Sequence, residues 1–171
     1  MPDILDVILS EHEEFRLQFA HFEAITDADE QRSRWEPLQD LLEVHAAAEE
    51  AVFYPEVVRA LHDGTEETKD AVHEHNEIRD AIGEVEEHQP GTELFLLAVK
   101  QVQAANAHHM AEEESEVLPQ FRDATDTALR EELGDRFCSF KDQHPGAKGI
   151  SSDKTDAQQV VDRSSGDGEE R

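Results

Sequence analysis

The stretch HAAAEEAVFYP at residues 45–55 returns as HMAEEESEVLP at residues 109–119. Both copies read His-x-x-x-Glu-Glu, and both place a proline ten positions after the histidine. A second phrase is also repeated, as EHEEFR at residues 11–16 and as EHNEIR at residues 74–79. The chain is therefore a tandem pair of two-element units, and each unit supplies one lone histidine and one His/Glu pair.

Apolar residues recur at spacings of three and four through both units, which is typical of helices that bury one face. Four long helices are predicted, over residues 3–24, 35–60, 66–88 and 92–122. Because short polar turns join them, we expect an all-α fold, an up-down-up-down four-helix bundle. Pro55 should kink or end its helix, since proline lacks the N–H that the helix needs, and Pro119 stands at the matching position near the end of the fourth helix.

The composition divides the chain into one domain and a tail. The domain is predicted over residues 1–142 and includes a short fifth helix over 126–141, with Asp126 as its N-cap. Residues 143–171 are rich in Ser, Asp, Gly, Lys and Gln and have few apolar side chains. Such a segment buries too little surface to offset its ordering entropy, so we predict a disordered C-terminal tail.

Charge and cysteine content exclude several classes of protein. The net charge of −27 provides no basic patch for nucleic acid. It indicates a solvated acidic surface, with adaptation to high salt or local concentration of cations as weaker interpretations. A lone cysteine, Cys138, can complete neither a disulfide framework nor a thiolate metal site. No apolar stretch reaches the ~18 residues needed to span a membrane, so we expect no membrane partner. The N-terminus lacks the pattern of a secretory signal, so we expect a cytoplasmic location.

The repeated His/Glu pairs suit a metal centre. Residues four apart lie one turn apart on the same helix face, so His45 and Glu49 can reach one metal pair, as can His109 and Glu113. The lone histidines, His12 and His75, stand on the apolar stripes of the first and third helices. Two bridging carboxylates and two imidazoles per metal suit iron, although manganese or zinc also accept such ligands.

Each histidine also has a simpler interpretation as a hydrogen-bonded core residue. Four histidines and two glutamates directed into one core instead indicate a metal site. Unpaired buried carboxylates cost several kcal/mol, and a bound metal compensates their charge. His108 repeats the spacing one residue out of phase and is interpreted as a flanking residue. His73 lies off its stripe and should be exposed. For Tyr54 we expect core packing, with a phenolate ligand or redox-active neighbour as the alternative.

The pattern resembles that of the hemerythrin-like, or HHE cation-binding, family over about residues 1–122. The repeated His-x-x-x-Glu-Glu with its following proline makes the resemblance specific. It implies a four-helix bundle around a non-haem di-iron centre, with two Fe ions joined by an oxo or hydroxo bridge. By the same resemblance the terminal ligands are His12, His45, His75 and His109, and the bridging ligands are Glu49 and Glu113.

Arg79 departs from the pattern of the oxygen-carrying hemerythrins, which have a second histidine four positions beyond the third-helix ligand. They also have a bridging aspartate on the fourth helix, where this chain has Glu113. One imidazole fewer leaves coordination positions for solvent or small ligands. The departure therefore favours redox chemistry or sensing over reversible oxygen carriage.

Three functions follow from this resemblance. The first is a di-iron protein that reacts with O2, H2O2 or NO, in a catalase-like or detoxifying role under oxidative stress. The second is an oxygen- or iron-binding sensor or storage module without turnover, and the third is a purely structural metal site. We predict the first, with small-molecule ligands as partners and a monomer or weak oligomer. Ferritin and rubrerythrin sites are less similar, because they place Glu-x-x-His on two helices.

Overall fold

The computed structural model describes residues 2–166, and every element among them is helical. The elements in chain order are α1 (Ile4–Phe22), α2 (Ala28–Ala48), a first π-helical turn (Glu49–Phe53), α3 (Tyr54–Ala60), α4 (Gly64–Glu86), α5 (Glu93–Glu112), a second π-helical turn (Glu113–Val117), α6 (Leu118–Ala124), α7 (Thr127–Gln143), a 3-10 turn (Pro145–Ala147) and α8 (Ala157–Gly166). The prediction of an all-α fold is confirmed. Within residues 2–166, none of the helices has the length and apolar character needed to cross a membrane.

Side-chain caps fix where four of the helices begin. Asp3, Asp27, Thr92 and Asp126 each stand in extended backbone, and each accepts a hydrogen bond from an N–H in the first turn. These bonds satisfy amide groups that a helix start otherwise leaves without a partner. The cap at Asp126 begins α7 at Thr127, where the sequence predicted a helix over residues 126–141.

Neither Pro55 nor Pro119 ends its helix. In each repeat a π-helical turn begins at the second residue of the His/Glu pair, and a new α-helix follows it directly. The amide of Tyr54 donates to the carbonyl of Glu49, five residues back, and the amide of Leu118 does the same to Glu113. The wider turn accommodates the proline that stands next in the chain, because the proline then falls in the first turn of a new helix.

Two apolar clusters fill the core, one on each side of a polar layer. The first gathers the start of α1, both π-helical turns and α7, with Phe53, Phe121 and Phe137 fully buried. The second gathers the end of α1, the start of α2 and most of α5, around Trp35 and Phe95. Helices α1, α2 and α4 contribute to both clusters, with their predicted ligands in between, and α5 contributes to the second cluster while the π-helical turn that follows it contributes to the first. The ligands therefore lie between two layers that exclude water.

Helix α7 packs closely on α1. A Cβ at Gly134 would come within 2.0 Å of the carbonyl oxygen of Pro2, so only glycine allows this approach. The contact places Leu133 and Phe137 in the first apolar cluster and brings Lys141 to Glu11, with which it forms an ion pair. Helix α7 thus covers the outer side of the polar layer near the first repeat.

The C-terminal region departs from its prediction. Residues 157–166 form α8, and Val160 is fully buried against the first apolar cluster, so disorder is wrong for the described part of the tail. The order comes from the bundle rather than from the segment's own apolar content. Arg59 donates to the carbonyls of Arg163 and Ser164 at the end of α8, and Asn76 bonds the backbone of Thr155. Residues 167–171 lie outside the described part of the chain.

Candidate metal centre

The six predicted ligands meet in the polar layer, and all are at least 97% buried. Glu49 lies at the middle. Its Oε1 is 3.0 Å from His45 Nε2, and its Oε2 is 3.2 Å from His75 Nε2 and 3.8 Å from His109 Nε2. Glu113 Oε2 lies 3.4 Å from His12 Nε2 and 3.6 Å from His109 Nε2. Each carboxylate thus reaches histidines of both repeats.

Two groups of donors share Glu49. The ligand atoms of His12, His45 and Glu49 lie within 4.8 Å of one another, and so do those of Glu49, His75 and His109. The histidines of the first group, His12 and His45, come from the first sequence unit, and those of the second group, His75 and His109, come from the second unit. Glu49 therefore stands where a carboxylate can bridge two cations.

A second set of carboxylates binds the Nδ1 atom of each of the four predicted ligand histidines. The Nδ1–H groups donate as follows: His12 to Glu114 at 2.8 Å, His45 to Glu11 at 2.8 Å, His75 to Glu50 at 3.0 Å and His109 to Glu74 at 2.8 Å. Such an outer carboxylate fixes the tautomer and the ring orientation of a metal-binding histidine. We call these four glutamates the outer carboxylates.

The donor roles leave lone pairs that converge on the centre. An ionised carboxylate can only accept, so each Nδ1 donates, and each Nε2 faces inward, where it can carry a proton or give its lone pair to a metal ion. The Nε2 atoms of His75 and His109 are 3.0 Å apart, a contact that requires a cation, proton or metal, between them. Five buried atoms here lack a hydrogen-bond partner among the described residues: His12 Nε2, His45 Nε2, both carboxylate oxygens of Glu49 and Glu113 Oε2. These residues fit a pair of metal ions.

The electrostatics of the layer favour positive charge. Burial alone would lower the pKa of His45, but the Glu49 and Glu11 carboxylates outweigh it and raise that pKa to about 9. His109 behaves alike, since Glu113, Glu49 and Glu74 raise its pKa well above the usual value against the effect of burial. Burial would raise the pKa of Glu49, yet the facing imidazoles lower it well below its usual value. The centre thus attracts cations strongly.

The outer carboxylates are ionised for a similar reason. Burial would raise the pKa of Glu50, but His75 and Arg79 lower it to about 2. The pKa values of Glu11, Glu74 and Glu114 are also lowered, in each case by the hydrogen bonds and charges of their partners against the effect of burial. Ionised carboxylates in this second layer raise the basicity of the histidines that they hold.

Arginines complete the arrangement in both repeats. Arg16 lies four residues after His12 and donates to Glu114 at 2.7 Å. Arg79 lies four residues after His75 and forms an ion pair with Glu50 at 2.9 Å. Arg79 therefore contacts the outer carboxylate at the position where the oxygen carriers have a ligand. The repeated arginine has the same role in each unit.

Tyr54 is fully buried, and its hydroxyl donates to Glu113 Oε1 at 2.6 Å. Burial and the nearby carboxylates of Glu113 and Glu49 raise the pKa of the phenol well above 10. The phenol therefore keeps its proton and holds a carboxylate of the opposite repeat. The corresponding residue of the second repeat is Leu118, which has no such group.

The remaining histidines of interest lie at the surface. The side chain of His73 is 75% exposed and lies 3.4 Å from Glu77. That of His108 is 62% exposed and lies 3.4 Å from both Glu74 and Glu112. Glu74, His108 and Glu112 form a third group of metal-ligand type, but it is largely exposed. It borders the centre through Glu74 alone.

Sequence reasoning missed the outer carboxylates and their contacts with Arg16 and Arg79. The signal was present, because the repeated phrases contain a glutamate before each lone histidine and a second glutamate after each paired one. Those four residues are the outer carboxylates Glu11, Glu74, Glu50 and Glu114. A helix wheel places them beside the ligand stripe and gives no indication that each reaches a histidine on another helix.

Comparison with known families gives one match. The model of the family described as "Hemerythrin HHE cation binding domain" matches residues 3–121. No curated protein and no solved structure matches this chain. The matched residues include both repeated phrases, all six buried ligands and all four outer carboxylates. The chain therefore belongs to the hemerythrin HHE cation-binding domain family.

Proposed function

We propose that this protein is a non-haem di-iron protein that reacts with O2, H2O2 or NO. The observation that carries the proposal is the convergence of four buried imidazole nitrogens and two buried carboxylates, five of whose inward atoms lack a hydrogen-bond partner among the described residues. In the proposed centre His12 and His45 hold one iron, His75 and His109 hold the other, and Glu49 and Glu113 bridge them. The proposed arrangement of the helices around it is the up-down-up-down four-helix bundle.

The donor set supports iron more than the other candidate metals. Imidazole and carboxylate together suit iron, and no cysteine among residues 2–166 contacts the centre to favour a softer metal. Cys138 lies on α7, outside the polar layer, and burial raises the pKa of its thiol. A pair of irons supplies Lewis acidity and one-electron redox steps, which reactions of O2, H2O2 and NO need.

The side chains around the centre suit chemistry with small molecules. Two imidazoles and two shared carboxylate oxygens give each ion about four protein donors, which leaves positions for solvent or a small ligand. Arg79 supplies no ligand because it is bound to Glu50 and stays protonated. The apolar clusters exclude bulk water, Tyr54 holds Glu113, and the outer carboxylates keep the Nδ1 protons in place. These features favour turnover over a purely structural site.

The experiment combines metal content with reactivity. Protein purified from iron-replete cells should contain about two irons per chain, the capacity of this donor set, and should show charge-transfer absorption bands. The diferric protein should bind azide and decompose H2O2 faster than an equal concentration of free iron. Folded protein with almost no iron would refute the di-iron proposal. Two irons without any peroxide turnover would leave the oxygen- or iron-binding module as the function.

A further inference from the structure

The C-terminal segment, residues 149–166, contacts the outer carboxylate that holds His75, the lone histidine of the second repeat. Thr155 is the central contact. Its Oγ1 donates to Glu50 Oε2 at 2.8 Å, and its backbone exchanges two hydrogen bonds with the Asn76 side chain, at 2.8 and 2.9 Å. Arg163 of the same segment donates to the backbone carbonyl of Glu50 at 3.0 Å. Side chain and backbone of Glu50 are thus both held from outside the family-matched region.

These contacts fix both oxygens of the Glu50 carboxylate. Oε1 accepts from His75 Nδ1 at 3.0 Å, and Oε2 accepts from Thr155 and from Arg79 Nη2 at 3.1 Å. A carboxylate held at both oxygens cannot rotate, so its bond to His75 keeps one direction. The side chain of Glu50 is only 6% exposed.

The carboxylate that contacts His12, the lone histidine of the first repeat, is held differently. The bonds to Glu114 from His12 and Arg16 both use Oε1, and the side chain is 27% exposed. The C-terminal segment makes its bonds at Glu50 and not at Glu114. Of these two equivalent carboxylates, the C-terminal segment therefore holds only Glu50.

We infer that Thr155, with the C-terminal segment that carries it, is a positioning element of the metal centre: it fixes Glu50 and thereby aims His75 Nε2 at its metal. The inference rests on the proposed metal-binding function, which it extends to residues beyond the family match. The consequence is two unequal metal positions. The metal held by His75 and His109 should be released more slowly than the metal held by His12 and His45.

The test uses the full-length chain and three threonine variants. Thr155→Val removes the hydroxyl at nearly constant volume, and Thr155→Ser restores it. Thr125→Val is the matched control, because Thr125 is also partly buried and its hydroxyl bonds a backbone carbonyl, that of Phe121 at 2.6 Å, away from the centre. Each protein is loaded anaerobically with Fe²⁺, and the release of iron to a chromogenic chelator is followed over time.

We expect two phases of release in the unaltered protein. In Thr155→Val the slow phase should become roughly 10-fold faster while the fast phase is unchanged; this is the lower end of the effect of losing the outer partner of a metal-binding histidine, because Thr155 acts on His75 through Glu50. Thr155→Ser should restore the slow phase, and Thr125→Val should resemble the unaltered protein. An unchanged slow phase in Thr155→Val, failure of Thr155→Ser to restore it, or equal acceleration of both phases would overturn the inference.

A second readout separates this inference from the proposed function. In metal-free protein labelled with ¹⁵N-histidine, the Nδ1 proton of His75 should exchange with water faster in Thr155→Val, while that of His12 is unaffected. This measurement needs no iron. A chain that binds no iron would therefore refute the proposed function, whereas unchanged exchange at His75 would refute the positioning role.

Discussion

The two repeats build the same inner arrangement but differ in what covers it. In each, a lone histidine is followed four residues later by an arginine, and both side chains contact an outer carboxylate that the other repeat supplies. This carboxylate is Glu114 for His12 and Arg16, and Glu50 for His75 and Arg79. Arg16 is 41% exposed, whereas Arg79 is 7% exposed because the C-terminal segment lies nearby. The repeated phrase thus specifies the contacts, and residues outside it determine how far solvent reaches them.

The difference suggests a division of roles between the two halves. Glu114 and Arg16 are more exposed than Glu50 and Arg79. At Glu50 the C-terminal segment adds hydrogen bonds, which under the inference above hold His75 more firmly. A centre whose two positions are held unequally is suited to exchange of a ligand on one metal while the other stays bound.

The largest effect should come from a residue that both halves share. Glu49→Ala removes the carboxylate that contacts His45, His75 and His109, so we expect loss of most of the iron from both positions. Elemental analysis of folded variant protein measures this. His73→Ala and His108→Ala are controls that should retain nearly all the iron, because both side chains are mainly exposed. If Glu49→Ala retained two irons, Glu49 would not be the bridging ligand.

The sequence predicted that each His/Glu pair shares one helix face, because helix periodicity determines it. His45 and Glu49 lie one turn apart on any helix, so their common face follows from spacing alone. The outer carboxylates could not be predicted in this way. Glu11 contacts His45 and Glu114 contacts His12, and these pairs depend on how neighbouring helices are rotated against each other. Spacing within one helix carries no information about that rotation.

The tail was mispredicted for a related reason. Low apolar content indicates that the C-terminal segment, residues 149–166, cannot form a core of its own. The segment is ordered by polar partners that the bundle provides, at Asn76, Glu50 and Arg59, and by one buried side chain, Val160. Composition describes a segment in isolation, whereas this one is stabilised by groups more than 75 residues away in the chain.

The second prediction compares the outer carboxylates of the two repeats. Glu50→Gln and Glu114→Gln each remove one negative charge behind a histidine, and such changes typically weaken metal binding roughly 10- to 100-fold. We expect the larger loss for Glu50→Gln, because the Glu50 side chain is 6% exposed and that of Glu114 is 27% exposed. Competition with a chelator of known affinity measures both. Equal losses would show that the C-terminal cover has no effect on binding.

The third prediction concerns the pH dependence of stability. It involves both halves, because the pKa values of His45 in the first and His109 in the second are both raised. The pKa of His45 is raised from 6.5 to about 9 in the folded, metal-free protein, so its protonated ring stabilises the fold fully below pH 6.5. That contribution, on the order of 3 kcal/mol for such a shift, is lost as the pH rises to about 9. Metal-bound protein should lose less, because the cations replace the protons.

Urea unfolding of both forms across this pH range checks the effect. The gap in unfolding free energy between metal-bound and metal-free protein should widen as the pH rises. At a free metal concentration one hundred times the Kd, binding contributes about 2.7 kcal/mol, which corresponds to a rise in Tm of roughly 5–10 °C. Parallel pH dependence in the two forms would contradict the assignment of His45 as a ligand.

The smallest effect on metal binding should come from Tyr54, whose counterpart in the second repeat is Leu118. Tyr54→Phe removes the bond to Glu113 Oε1 without a large change in volume, so Glu113 becomes freer to rotate. We expect a loss of about 1.5–3 kcal/mol in unfolding free energy, the usual cost of losing a hydrogen bond to a charged group, while both irons are retained. Leu118→Met, at the corresponding position of the second repeat, is a volume-conserving control that should cost less than about 1.5 kcal/mol and leave the iron spectrum unchanged. Loss of iron from Tyr54→Phe would instead support the alternative in which the phenol acts on the metal directly.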